Sequence, residues 1–139
     1  MMPATDPLRA PATVFIVDDE SSIRTSMTRL LRSAGLRAEA FASVDDFFKQ
    51  SDVPPNSCIV ADISMPGTSS LALPGALAER GLQLPIIFVT AEDNEQVRAE
   101  AKRVGAAGYF RKPIDDCALL DAIEWALRDS NPSAEKAEL

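Results

Sequence analysis

Val14-Phe15-Ile16-Val17 is an uninterrupted apolar run of high strand propensity, and it ends in two adjacent carboxylates, Asp18-Asp19. Such a run describes a strand buried on both faces, and strands of that kind belong to parallel sheets covered by helices on either side. Two carboxylates at the exit of a buried strand are costly unless positive charge lies between them. The pattern then repeats. Cys58-Ile59-Val60-Ala61 ends in Asp62, Pro85 to Val89 ends in Thr90, and Tyr109-Phe110 leads to Lys112-Pro113. Polar or charged groups at the carboxyl ends of four buried strands point to one shared site.

The segments between these runs have helical periodicity. Strand 13–17 is followed by a helix over 21–34, with Ile23, Met27, Leu30, Leu31 and Ala34 on one face, and Gly35 ends it. A short strand 37–41 leads to Ser43, which caps a helix running to about Gln50. Strand 57–61 is followed by the loop Met65-Pro66-Gly67 and a helix within 69–80. Strand 85–89 precedes helix 93–104, and strand 107–110 precedes helix 115–128, with Leu119, Leu120, Ile123 and Leu127 facing inward. Proline breaks a helix interior but is tolerated in its first turn, so Pro74 predicts a third helix that starts late or kinks there. Five β-α repeats predict a parallel sheet with helices on both faces. In such sheets ligands bind at the carboxyl ends of the strands. After Val17 comes Asp-Asp-Glu-Ser-Ser, which is neither G-x-G-x-x-G nor G-K-[ST], so a nucleotide site is disfavoured.

Composition narrows the function further. A net charge of −7 argues against a domain that grips nucleic acid or an anionic membrane by its own field. Among 139 residues there is no histidine, which removes His acid–base chemistry, His metal ligands and a phosphohistidine of the chain's own. Cys58 and Cys117 read as small buried reduced thiols. Residues 1–12 carry three prolines and no apolar core of a signal peptide, so they read as a disordered leader. No apolar stretch approaches the ~20 residues of a membrane span, and the protein reads as cytoplasmic. The folded domain is expected over 13–129, with 130–139 a tail or the start of a linker.

Three carboxylates, one hydroxyl and one ammonium suit one kind of chemistry. Asp18, Asp19 and Asp62 supply hard oxygen ligands for a small divalent cation such as Mg²⁺, which takes a few carboxylates and keeps several waters. An Asp62 oxygen left free could attack a phosphoryl group and form an aspartyl phosphate. The loose transition state of that reaction needs positioning and positive charge, which the cation, Lys112 and the Thr90 hydroxyl would supply. Each piece alone has a plain alternative: a solvated Asp-Asp turn, a strand-ending aspartate, a threonine helix cap, a Lys-Pro turn. Their order and placement at strand ends agree only when they are taken together.

The chain resembles a receiver domain of a two-component response regulator, in the CheY-like superfamily. The motifs that carry the resemblance are Val-Asp-Asp-Glu at 17–20, Asp-Ile-Ser-Met-Pro-Gly at 62–67, Phe-Val-Thr-Ala at 88–91 and Tyr-Phe-Arg-Lys-Pro at 109–113. Ala-Ser-Val-Asp-Asp-Phe at 42–47 and Gly-Leu-Gln-Leu-Pro at 81–85 resemble receivers of FixJ/NarL-like transcription factors. The resemblance implies a flavodoxin-like (βα)₅ fold of strand order 2-1-3-4-5, with Asp62 as phosphoacceptor. It implies Mg²⁺ (or Mn²⁺) held by Asp18, Asp19, Asp62 and the Ser64 main-chain carbonyl. Thr90 and Lys112 would bind phosphoryl oxygens, Lys112–Pro113 would be cis, and Tyr109 would be the switch aromatic. Glu92 and Ser64, each two residues past a site residue, are expected to tune phosphoryl lifetime. The donor would be a histidine kinase or phosphotransfer protein docking on the exposed side of helix 21–34. Helix 4, strand 5 and helix 5 would form the switching face, used for homodimerisation or output. No direct nucleic-acid or membrane contact is implied for this domain. The family usually has a glycine near 70 and an apolar residue near 68, where this chain has Thr68-Ser69-Ser70.

Two other functions compete. A haloacid-dehalogenase-like phosphatase would need a second acid two residues after its nucleophile, and Asp62 is followed by Ile63-Ser64. A pseudo-receiver used only for protein binding would have lost the acceptor or the lysine, and neither is missing.

Overall fold

The computed structural model describes residues 12–50 and 52–129. The expected leader 1–12, apart from Ala12, and the expected tail 130–139 lie outside the described residues. Strands β1 (Thr13–Val17), β2 (Arg37–Phe41), β3 (Ser57–Asp62), β4 (Ile86–Thr90) and β5 (Gly108–Arg111) alternate with helices α1 (Ser21–Ser33), α2 (Val44–Lys49), α3 (Leu73–Glu79), α4 (Glu95–Arg103) and α5 (Asp116–Asp129). The strands form one parallel sheet in the order β2-β1-β3-β4-β5, the flavodoxin-like topology expected.

Every residue of β1, β3 and β4 is buried, as central strands covered on both faces require. Alternate side chains leave the sheet in opposite directions. Val14, Ile16, Val60, Val89 and Cys58 meet α1 and α5 through Met27, Leu31, Leu119 and Ile123. Phe15, Val17, Ile59, Ala61 and Phe88 meet α2, α3 and α4 through Phe47, Leu73, Leu77 and Ala101. The predicted inner face of α1 holds except at its end, where Ala34 is exposed after the helix has closed. Gly35, at φ +85°, takes the left-handed turn that ends α1. Cys58 is buried as expected, whereas Cys117 is exposed; it sits on the solvent side of the first turn of α5.

The Ser43 side chain accepts from the Asp46 N–H, as the sequence predicts for the start of α2. The third helix starts late. A 3₁₀ turn over Ser70–Ala72 comes first, and α3 then begins at Leu73 with Pro74 in its first turn. The proline therefore sits where its missing N–H costs nothing.

Register sets up the site. Val17 pairs with Ala61, so the next residues, Asp18 and Asp62, leave the sheet side by side. Asp62 pairs with Val89, and Thr90 pairs with Arg111, which brings Thr90 and Lys112 to the same edge.

Phe15 is fully buried and packs edge-on against Phe47, with ring centroids 5.3 Å apart. Phe15→Ala should lower unfolding stability by about 3–5 kcal/mol, measured by urea denaturation.

Candidate functional site

Asp18 and Asp62 are both buried, at 2% and 3% exposure, while Asp19 is exposed at the rim. One carboxylate oxygen from each of the three lies within 4.8 Å of the others. Lys112 reaches across from the far end of the chain to join them. Its Nζ donates to Asp18 Oδ2 at 2.9 Å, to Asp62 Oδ2 at 3.2 Å and to Glu20 Oε1 at 3.3 Å.

Main-chain donors orient both buried acids. The Glu20 N–H donates to Asp18 Oδ1, and the Ser64 N–H donates to Asp62 Oδ1, each at 2.9 Å. The Arg24 guanidinium holds the Asp18 carbonyl at 2.7 Å, fixing the start of α1 against the end of β1. Thr90 is fully buried. Its Oγ1 lies 3.0 Å from Ser64 Oγ, accepts from the Glu92 N–H at 3.0 Å and donates to the Glu92 carbonyl at 3.2 Å. Ser64 thus ties Thr90 to Asp62. Lys112–Pro113 is cis, as expected.

The electrostatics follow from this crowding. Burial opposes charge on Lys112, but the hydrogen bond and charge of Asp18, then those of Asp62, outweigh it and raise its pKa above the ordinary lysine range. Burial pushes the Asp62 carboxyl upward and the neighbouring Asp18 charge adds to this; the Ser64 N–H and Lys112 oppose it, and the net direction is up. Three carboxylates, Asp18, Glu20 and Asp62, share one ammonium, and Asp19 lies beside them at the rim. Such a donor set suits a small hard divalent cation: oxygen-only, acidic and convergent, with room for waters at its exposed rim.

The remaining sequence candidates lie beside this cluster. Glu92 is exposed and touches Thr90 through its main chain. The Tyr109 hydroxyl donates to Asp93 Oδ1 at 2.9 Å, while Arg98 donates to Asp93 Oδ2 at 2.6 Å and lies 5.8 Å from the Tyr109 ring centre. The hydrogen bonds from Arg98 and then Tyr109 hold the Asp93 carboxyl below its ordinary range. Sequence reasoning missed Asp93 and Arg98, which look like ordinary charges near a helix start. A half-buried tyrosine hydroxyl needs a partner, and that requirement is the signal that finds them. It also missed Glu20 as a partner of Lys112.

Comparison with known proteins identifies the family. A family model described as the response regulator receiver domain matches residues 14–124. The chain belongs to the response regulator receiver family. Such receivers serve two-component systems as signalling domains rather than classical enzymes, and they bind Mg²⁺ through acidic residues. The transcriptional regulatory protein TdiR of Thauera aromatica is 42% identical over 125 residues, covering 90% of this chain and 55% of that protein. The transcriptional regulatory protein FixJ of Azorhizobium caulinodans is 34% identical, covering 82% of this chain and 54% of that protein. The crystal structure of FixJ-N superposes with a TM-score of 0.77 at 31% identity, covering 86% of this chain and 95% of that one. The chain spans about half the length of the curated relatives it matches. Among the described residues, no helix is long and apolar enough to cross a membrane.

The raised Asp62 carboxyl has a sign that can be measured. The folded state binds a proton more readily than the unfolded chain, so stability in chelator should fall as pH rises through and above the ordinary aspartate range. Asp62→Asn should flatten that fall and raise the melting temperature at pH 7. Thermal melts from pH 4 to pH 7 in chelator check both.

Proposed function

We propose that this receiver accepts a phosphoryl group on Asp62, with Mg²⁺ or Mn²⁺, from a histidine kinase or phosphotransfer protein. The observation that carries the reading is the pair of buried carboxylates, Asp18 and Asp62, converging on the Lys112 ammonium, with the Thr90 hydroxyl tied in through Ser64. Asp18, Asp19 and Asp62, with the Ser64 carbonyl, would hold the cation. When bound, the cation neutralises phosphoryl charge at the site.

In the step itself, a carboxylate oxygen of Asp62 forms the new O–P bond. The bond from phosphorus to the donor nitrogen, or to the oxygen of a small acyl phosphate, breaks, and the electron pair leaves with the donor. Lys112 is already hydrogen-bonded to Asp62 and would turn from Asp18 toward a phosphoryl oxygen. Thr90 would release the Glu92 carbonyl and donate to another. Withdrawing Thr90 from its present partners would move the 90–94 loop and, through it, the Asp93–Tyr109 bond. This gives Tyr109 its place in the switch of α4, β5 and α5, the face proposed for homodimerisation or output.

A cleft of about 450 Å³ beside Lys112 supports donor docking along α1. Its lining is mostly apolar, from Ile23, Met27, Leu30 and Leu119, with Ser26 and Asp116 among them, so a partner helix would meet a largely apolar surface next to the acceptor. The TdiR and FixJ relatives are named as transcriptional regulators, and we propose a transcriptional output in a cytoplasmic setting for this chain too. The domain would act by protein contact, without touching nucleic acid itself. Ser64 and Glu92 flank Thr90 and would set the lifetime of the phosphoryl group.

Incubation with acetyl phosphate and Mg²⁺ should add one phosphoryl group per chain by intact mass, and none in Asp62→Asn. No adduct on the wild type with any donor would favour a phosphorylation-independent binding module. Repeated turnover of a phosphoester would favour the phosphatase reading. Glu92→Ala should change the dephosphorylation rate of the adduct several-fold, by roughly 1 kcal/mol of barrier.

A further inference from the structure

Among the described residues, Ser70 and Thr90 are the buried polar side chains with no exposed surface at all. Thr90 belongs to the site above, and Ser70 has no assigned task. It lies on a stripe with Leu73 and Leu77, both buried against the sheet, at the i, i+3, i+7 spacing of one helix face. Packing alone would be served by alanine there. The hydroxyl is not needed to start the helix either, because the Ser69 Oγ already accepts from the Leu71 N–H at 3.1 Å.

What the Ser70 hydroxyl does is donate to the main-chain carbonyl of Asp62, at 2.7 Å. That carbonyl sits one residue past the last β1–β3 pair, Val17 with Ala61. On the other side, the Ile63 N–H donates to the Val89 carbonyl at 2.8 Å. Asp62 is therefore where the ladder stops and the loop carrying Ser64 departs. The Ser70 bond closes that loop onto the strand end, and its own backbone is anchored one turn away by Leu73. Asp62 is held at both ends: its carboxylate by Ser64 and Lys112, its carbonyl by Ser70.

We propose that Ser70 is a positioning residue for phosphoryl transfer: its hydroxyl fixes the peptide that aims the Asp62 carboxylate and sets the departure of the loop that carries Ser64. This rests on Asp62 being the phosphoacceptor. A buried carbonyl stripped of its donor seeks another partner, and the peptide turns to find one. Positioned reactions lose rate steeply when the reacting atom is displaced by a fraction of an ångström.

The test compares full-chain wild type, Ser70→Ala, Ser70→Gly and Ser70→Thr, labelled by acetyl phosphate at saturating Mg²⁺ and followed by intact mass. The alanine and glycine variants, folded by circular dichroism, should label about tenfold more slowly at saturating acetyl phosphate, with the half-saturating concentration changed by no more than about twofold. Ser70→Thr, which keeps the donor, should recover most of the rate. Amide resonances of Ile63 and Ser64 should shift in the alanine variant and return in the threonine variant. Labelling of a donor-less variant at the wild-type rate overturns the proposal, and so does slowing that threonine fails to repair. If neither donor-less variant folds, the threonine variant decides: a near wild-type rate supports the proposal and a tenfold loss overturns it. Wild type that takes up no phosphoryl group overturns the assignment of Asp62 instead, and the amide shifts still report whether the Ser70 hydroxyl positions that peptide.

Discussion

One ammonium holds the carboxyl edge of this sheet together. Asp18 and Asp62 emerge side by side because β1 and β3 are parallel neighbours in register, and two buried carboxylates so placed repel each other. Lys112, delivered by β5 from 94 residues along the chain, donates to both. Without it the acids would have to take up protons, bind a cation or move apart. The fold can afford a charged cluster at its centre line because the cation that balances it arrives on another strand of the same sheet.

The proposed phosphoryl transfer would use the same arrangement. The main-chain donors at Glu20 and Ser64 hold one oxygen of each acid, leaving the other oxygens to positive charge. In the proposed function, a divalent cation would compete with this lysine for the same oxygens. Thr90 is wired to Asp62 through Ser64, and its own partner Glu92 opens the loop that leads to Asp93, Tyr109 and Arg98. Two sets of hydrogen bonds, one from Asp62 to Glu92 and one from Asp93 to Arg98 and Tyr109, are joined by the Glu92–Asp93 peptide and link the proposed acceptor to α4. Because each link is a discrete partner choice, the linkage has the makings of a two-state element rather than a gradual deformation.

The strands were legible in the sequence because apolar runs bounded by charges leave few alternatives, and β1 was read to the residue. The late start of α3 was legible from Pro74, whose ring and missing N–H forbid an interior position. The convergence of Asp18, Asp19, Asp62 and Lys112 was legible only in combination, since each residue alone looks like a turn or a cap. Pairings between side chains were the hidden part. Nothing in Ser69-Ser70 says which hydroxyl caps a helix and which holds Asp62, because that depends on how far the 3₁₀ turn rotates. Asp93 and Arg98 read as solvated charges until Tyr109 is seen to need a partner, and the exposure of Cys117 turns on where α5 begins.

The central claim is that Lys112 and Asp62 are coupled through space although they are far apart in the chain. A double-mutant cycle with Lys112→Met and Asp62→Asn, followed by urea unfolding at pH 7 in chelator, tests it most directly. The account predicts a coupling energy of about 1–3 kcal/mol, the range for groups in one hydrogen-bonded ionic network. Stability changes that simply add, to within about 0.5 kcal/mol, would contradict it.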